Sequence, residues 1–146
     1  MASSKNNMLK LKFDASRNLA PAPESKSAAK INPRYDLFIN GKFEKPASKK
    51  YFDTINPATE EKLSEVADAN QADVNKAVSA ARSAYDKVWK KMPAKERAKY
   101  IYRIARMVQE RARELAVIET LDGGKPIRES RDFDVPTAAN HFFYYA

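Results

Sequence analysis

The 146-residue sequence contains no cysteine and only three glycines, at positions 41, 123 and 124. Without cysteine it has no disulfide, no cysteine-ligated zinc or iron–sulfur site and no thiolate nucleophile of its own. The glycine positions exclude both the G-x-G-x-x-G and the G-x-x-x-x-G-K-[ST] phosphate-binding loops. No stretch approaches the roughly 18 consecutive apolar residues of a membrane-spanning helix, so we expect no membrane partner.

Histidine is almost absent as well, since His141 is the only one. A single histidine offers neither a metal-binding pair nor a proton relay, which favours a packed or surface role for it. The carboxylates of Glu129, Asp132 and Asp134 are close in sequence, but neighbours on one helix do not face each other across a pocket as paired catalytic acids do. The sequence therefore predicts no catalytic and no cofactor-binding residue among these 146.

The first 34 residues differ in composition from the rest and hold seven of the basic residues against two acids, so they carry most of the net charge of +8. They offer little apolar surface to offset the entropy of ordering, and we expect a disordered tail over residues 1–34, with a short strand pattern at residues 9–13. A mitochondrial targeting segment is the alternative. Such segments are arginine-rich and poor in acids, whereas lysine dominates here, which favours a cytoplasmic protein.

Residues 35–67 have the pattern of short strands. Asn40-Gly41 separates two apolar segments, 37–39 and 42–43, and favours the type I′ turn of a hairpin. Further strands are predicted at residues 51–55 and 63–67. Between them, Asn56-Pro57-Ala58-Thr59 marks a turn, because proline has no N–H to donate to a strand partner.

Beyond residue 70 the apolar period becomes helical. Asn70, with Asp73 in the first turn, caps a first predicted helix that ends near Trp89. A second begins at Pro93 and extends to Ile118 or Leu121. Gly123-Gly124 ends that helix, and Pro126 prevents its continuation. A third begins near residue 126 and restarts at Asp134, with Pro136 in its first turn.

The last helix still continues at Ala146 and carries four aromatic residues near its end: Phe142, Phe143, Tyr144 and Tyr145. So much apolar area is unusual at a fraying terminus. We expect that the sequence stops inside a larger domain. The alternative is an aromatic helix end that docks into the core of this same chain.

Five basic residues recur on the polar side of the second predicted helix: Lys95, Lys99, Arg103, Arg106 and Arg113. A basic face of this kind can bind phosphates. Glu96, Glu110 and Glu114 lie within three or four residues of these bases, however, so local pairing on a solvated face is the favoured interpretation. Nucleic-acid binding, here or through the tail, is the less favoured alternative.

Several motifs together give the sequence a family resemblance. In chain order they are Leu37-Phe38-Ile39-Asn40-Gly41-Lys42-Phe43, Ile55-Asn56-Pro57-Ala58-Thr59, the helix start at Ala72-Asp73-Val74, Trp89 with Met92-Pro93-Ala94-Lys95-Glu96-Arg97, Glu119-Thr120-Leu121-Asp122-Gly123-Gly124-Lys125-Pro126, and His141-Phe142-Phe143-Tyr144-Tyr145-Ala146. Residues 35–146 resemble the N-terminal part of the aldehyde dehydrogenase superfamily. The basic tail has no counterpart in that resemblance.

The resemblance implies an α/β fold: the N-terminal portion of a Rossmann-type cofactor domain, with small antiparallel strands followed by two or three amphipathic helices. It also implies that residues 35–146 form the first part of an NAD(P)-binding domain, which is truncated before the catalytic segments. The full protein would oxidise an aldehyde substrate to a carboxylic acid with NAD or NADP and would form a homo-oligomer. A cysteine thiolate, an oxyanion-binding asparagine and a water-activating glutamate would all lie downstream. The 146 residues alone are then expected to be inactive. The alternative is a non-catalytic interaction or oligomerisation module that uses the aromatic C-terminal helix.

The resemblance also implies a structural monovalent cation, which some family members bind. Carried over, its ligands would be the backbone carbonyls of Thr54 and Ile55 and the carboxylate of Asp122. A cation there would ease the unfavourable position of an anion at the C-terminal end of a helix. Glu60 stands where the family often has glycine, and Gly123 where it often has asparagine.

Overall fold

The computed structural model describes residues 24–146, in which five short strands precede a series of helices. The strands are β1 (Arg34–Tyr35), β2 (Leu37–Ile39), β3 (Lys42–Glu44), β4 (Tyr51–Ile55) and β5 (Lys62–Ala67). The α-helices are α1 (Gln71–Lys87), α2 (Ala94–Glu110), α3 (Ala112–Gly123), α4 (Ile127–Glu129) and α5 (Val135–Tyr145), with 3-10 turns at Lys26–Ala28 and Trp89–Lys91 and a π-helical turn at Ser130–Asp134. Within these described residues no helix is both long and apolar enough to cross a membrane. Most of the expected tail, with the strand pattern at residues 9–13, lies outside them.

The predicted hairpin is confirmed. Strands β2 and β3 pair in antiparallel register, with Leu37 opposite Glu44. Asn40 and Gly41 have φ values of 51° and 78°, the left-handed conformation that a type I′ turn requires at both central positions. The rings of Phe38 and Phe43 lie 5.0 Å apart between centroids and are both exposed.

The other three strands form a separate sheet in the order β1-β5-β4. The antiparallel pair β4–β5 matches the two predicted strands, whereas β1 pairs with β5 in parallel and was not predicted. Two residues are too few to show a periodic pattern. Near this strand the Ser64 hydroxyl donates to the Asn32 carbonyl at 2.8 Å. Residues 24–34 of the expected tail therefore include some that contact the sheet, and the extent of the tail over residues 1–23 stays a prediction.

The start of α1 is as predicted, and its end is two residues earlier. The Asn70 side chain accepts from the N–H groups of Ala72 and Asp73, and the Asp73 carboxylate accepts from the Asn70 N–H at 3.1 Å. This reciprocal arrangement is a capping box. The helix ends at Lys87, and Trp89 begins the following 3-10 turn.

The prediction of one helix from Pro93 to Ile118 or Leu121 was wrong. The chain bends at Arg111, whose φ and ψ are −103° and 17°, and α3 begins after it. Helix α2 packs mainly on α5, whereas α3 packs mainly on the π-helical turn, with smaller contacts to α5 and to the first 3-10 turn. The bend thus separates two helical segments that have different main packing partners. The Arg111 guanidinium donates to the Glu114 carboxylate at 2.8 Å across the first turn of α3.

Helix α5 begins at Val135, next to the predicted restart at Asp134, but the predicted capping role of Asp134 was wrong. Asp134 has helical backbone angles and makes no capping hydrogen bond. The Val135 N–H donates to the Ser130 carbonyl five residues back, so a wider π-helical turn carries the chain into α5. Pro136, which has no N–H, then occupies the first turn of α5.

The apolar core consists mostly of small side chains. The buried apolar residues are Ile39, Pro46 and Ala67 in the strand-rich part and Ala105, Ala116, Val117, Val135 and Ala139 in the helices. Between α2 and α5 the rings of Tyr102 and Phe143 meet edge to face, with centroids 5.0 Å apart. Tyr144 and Tyr145, by contrast, are 82% and 75% exposed.

Candidate functional site

The end of β4 and the end of α3 lie against a shared cavity. Thr54, the penultimate residue of β4, and Asp122, near the end of α3, both line this space of about 170 Å³ between the sheet and the helix. Ile55 does not line it, and its side chain is 44% exposed. The structure thus brings Thr54 and Asp122 together, while Ile55, the next residue after Thr54, has only its backbone to offer.

The walls of this cavity are otherwise mainly apolar, formed by Ile31, Leu63, Val66 and Ile118 together with Tyr35 and Ser64. Across residues 24–146, no three His, Asp or Glu side chains gather into a metal-binding group. The oxygen-bearing residues that line the cavity are Asp122, Thr54, Ser64 and Tyr35, and only Asp122 among them is a carboxylate. Oxygen donors suit hard cations, and the low charge suits a monovalent one.

A β-bulge lies beside the two predicted carbonyl ligands. Thr54 pairs with Ser64 but Ile55 pairs with Lys62, so Leu63 is an extra residue on β5. A bulge bends a strand and redirects its backbone groups, and bulges are common near functional sites. No sequence signal predicts this bulge, because Leu63 continues the apolar pattern of the strand.

The turn after β4 is held by the buried residue Asn56, which is 3% exposed. Its side-chain oxygen accepts from the Ala58 N–H at 2.9 Å, and its N–H donates to the Glu61 carbonyl at 2.9 Å. Its carbonyl accepts from the Glu60 N–H at 2.8 Å. Glu60 itself has a φ of 60°, in the left-handed region that favours glycine.

The end of α3 has the predicted glycine stop. Gly124 adopts a left-handed conformation with φ 71°, and its N–H donates to the Thr120 carbonyl at 3.0 Å. Among the residues that the structure describes, no lysine or arginine forms a salt bridge with Asp122. Within the described part of the chain, no salt bridge therefore relieves the unfavourable position of this carboxylate at a helix C-terminus.

Lys125 is the cation nearest in sequence, and it pairs elsewhere. Its ammonium lies 2.7 Å from a carboxylate oxygen of Asp134 and 2.8 Å from one of Glu119. The hydrogen bond to Asp134, followed by that to Glu119, raises the pKa of Lys125 above its usual value. Lys125 thus links the end of α3 to the π-helical turn.

Of the five bases for which local pairing was predicted, two form salt bridges within the described residues, Lys99 and Arg106. Lys99 lies 2.8 Å from Glu96, and Arg106 lies 3.7 Å from Glu110. The base that pairs with Glu114 is Arg111. His141 is exposed.

Comparison with known proteins gives consistent matches. Residues 43–146 match the model of the aldehyde dehydrogenase family. Aldehyde dehydrogenase family 2 member B4, mitochondrial, of Arabidopsis thaliana is 44% identical over 111 residues, which are 75% of this chain and 21% of the relative. The aldehyde dehydrogenase of Rhodospirillum rubrum is 40% identical over 116 residues, 80% of this chain and 23% of the relative.

Solved structures agree. The NAD+ complex of an aldehyde dehydrogenase from Bacillus cereus is similar with a TM-score of 0.77 at 38% identity, covering 88% of this chain and 26% of that one. The chain therefore spans about a quarter or less of the length of these relatives.

Proposed function

This chain belongs to the aldehyde dehydrogenase family, and on that premise we propose that it forms the N-terminal part of an enzyme that oxidises an aldehyde to a carboxylic acid with NAD or NADP. The observation that carries the proposal is the family match over residues 43–146. The NAD+ complex of the similar Bacillus cereus enzyme supports a nicotinamide cofactor, which would accept the hydride when bound.

The proposal places the nucleophile outside these 146 residues, because they include no cysteine. The role of this segment is then to build and support the domain rather than to touch the reacting atoms. Helices α2, α3 and α5, with the sheet β1-β5-β4, would cover one side of the cofactor domain. The 146 residues alone would be inactive.

Homo-oligomer formation is part of the proposal, and exposed apolar side chains support it. Val74 and Val78 on helix α1, and Val88 directly after it, are between 47% and 60% exposed, and the terminal Tyr144 and Tyr145 are more exposed still. Exposed apolar groups of this extent often contact another surface. Size-exclusion chromatography with light scattering of the full polypeptide would measure the assembly, and a monomer would remove this part of the proposal.

A structural monovalent cation is proposed at the cavity between β4 and α3. The Asp122 carboxylate would supply the charge, and the backbone carbonyls of Thr54 and Ile55 would complete the set from this chain. Two features support this: Thr54 and Asp122 line the same cavity, and Asp122 forms no salt bridge with a described residue. The cation would hold the end of the strand against the end of the helix.

The test of the enzymatic proposal is an assay of the full polypeptide with a panel of aldehydes and with NAD or NADP. We expect reduced cofactor and carboxylic acid to form in equal amounts. If no aldehyde supports cofactor reduction with either nucleotide, the proposal is wrong. We also propose a cytoplasmic location, which cell fractionation with an antibody to this segment would check.

The exposed aromatic residues favour one second candidate, a non-catalytic interaction module. The reading frame after Ala146 distinguishes this module from the enzyme. A stop codon directly after Ala146 would favour this module, whereas a coding sequence that continues into a segment with cysteine would favour the enzyme.

A further inference from the structure

Gly124 packs so closely against the turn that follows β4 that a Cβ atom there would crowd the ring of Pro57. A Cβ atom built on Gly124 would lie 3.0 Å from Cβ and 3.1 Å from Cγ of Pro57. The neighbouring Gly123 is different, because its nearest contacts would be at 3.8 Å and belong to flexible side chains. The backbone at the helix end therefore contacts the proline ring of the turn at Gly124. Gly123 makes no such contact.

Each partner of this contact is rigidly joined to one half of the proposed cation site. Pro57 follows buried Asn56, whose hydrogen bonds fix the turn directly after Thr54 and Ile55. Gly124 follows Asp122 by two residues and is held to α3 by its hydrogen bond to Thr120. A displacement of the proline from the glycine would consequently separate the carbonyl ligands from the carboxylate ligand.

We infer that Gly124 is a positioning residue: by contact with Pro57 it sets the distance between the strand carbonyls and the Asp122 carboxylate, and hence the affinity for a monovalent cation. The inference rests on the proposed cation site. Its left-handed backbone conformation alone is enough for Gly124 to end the helix. The inference assigns it a second function. Residues that orient metal ligands without touching the metal commonly change affinity by about 10-fold to 100-fold when substituted.

The test compares Gly124→Ala with two control glycine variants in the full polypeptide. Gly41→Ala has the same backbone strain, since Gly41 has φ 78°, but its Cβ would meet nothing within 4 Å. Gly123→Ala has neither strain nor a close contact. The readout is the rise in melting temperature when sodium or potassium chloride replaces tetramethylammonium chloride at constant ionic strength.

For the parent protein we expect a saturable rise that the variant Asp122→Asn removes. Gly41→Ala should lower the starting melting temperature yet retain the rise at unchanged cation concentrations. Gly124→Ala should need about 10-fold more cation or lose the rise. A Gly124→Ala variant with the same cation dependence as Gly41→Ala would overturn the inference.

Should Gly124→Ala fail to fold, Pro57→Ala tests the same contact from the other side by removing the ring carbons that face Gly124. We expect weaker cation dependence for it, and unchanged dependence would again overturn the inference. If the parent protein shows no cation-specific rise, the cation site itself is wrong and this inference falls with it. The assignment to the enzyme family would be unaffected by that result.

Discussion

The strand-rich part, residues 31–73, and the helical part, residues 94–146, bury different kinds of groups. The first buries three polar side chains, Asn56, Ser64 and Asp73, and three apolar ones, Ile39, Pro46 and Ala67. The second buries five small apolar residues and one polar residue, Ser130. Individual hydrogen bonds therefore fix the strand-rich part, and close packing of small side chains fixes the helical part. The two should respond to opposite kinds of substitution.

The largest effect is expected at Asp73, which is 7% exposed. Its carboxylate accepts from the Ala47 N–H at 3.1 Å and from the Asn70 N–H at 3.1 Å, so it joins α1 to the loop before β4. Asp73→Ala leaves these donors unpaired and should lower the free energy of unfolding by about 3 kcal/mol, measured by urea denaturation. Asp73→Asn, which keeps one acceptor oxygen, should cost less. If Asp73→Ala is as stable as the parent, these hydrogen bonds do not hold the strand-rich part in place.

The helical part should instead be sensitive to added volume. Ala105 is fully buried on α2, which packs on α5, where Ala139 is 1% exposed. Ala105→Leu should lower the free energy of unfolding by about 2 kcal/mol, because a well-packed core has no room for the additional atoms. The control is Ala94→Leu, an exposed position on the same helix, where the change should be near zero. Comparable stability of the two variants would mean that the helices are not closely packed.

One substitution in the strand-rich part should raise stability. Glu60 has a φ of 60°, where a side chain is strained and glycine is not. Glu60→Gly should raise the free energy of unfolding by about 1 kcal/mol. Glu61→Gly, the next position, has no positive φ to relieve and should be destabilising. If both variants lose stability equally, the strain at Glu60 is absent in solution.

The smallest effect is expected for the surface carboxylate Glu65, which contacts Lys62 and Arg34. Hydrogen bonds from Lys62 and then Arg34 lower its pKa below its usual 4.5. A lowered pKa stabilises the folded state above pH 4.5, and this contribution is lost as the pH falls through the lower value. Glu65→Gln should therefore show a small loss of stability at neutral pH that disappears in acid and in high salt.

Glu114, whose pKa Arg111 lowers in the helical part, is the matched position. Glu114→Gln should behave in the same way. Surface salt bridges would thus not distinguish the strand-rich part from the helical part. A loss of stability that does not depend on pH, in either variant, would show that packing rather than charge is responsible.

The same contrast explains what the sequence could predict. Asn40-Gly41, Asn56-Pro57 and Asn70 with Asp73 are local hydrogen-bonding signals, and the structure has the turns and the helix start that they predict. The bend at Arg111 and the π-helical turn depend on which helices pack together, and packing partners leave no local pattern. Both were therefore missed.

Part of the candidate site could likewise be predicted from the sequence. Thr54 and Asp122 came from a family resemblance, and the structure places them on one cavity. The contact between Gly124 and Pro57 joins residues that are 124 − 57 = 67 positions apart, and the bulge at Leu63 depends on how β4 and β5 pair, so only three-dimensional structure shows them.

The most direct test of the central claim, that these residues are a supporting part of an aldehyde dehydrogenase and not its catalytic part, is a parallel turnover assay. The full polypeptide and residues 1–146 alone would each be incubated with an aldehyde panel and NAD or NADP, and the formation of reduced cofactor would be followed. We predict turnover by the full polypeptide and none by the 146 residues. Aldehyde-dependent cofactor reduction by the 146 residues alone would contradict the account.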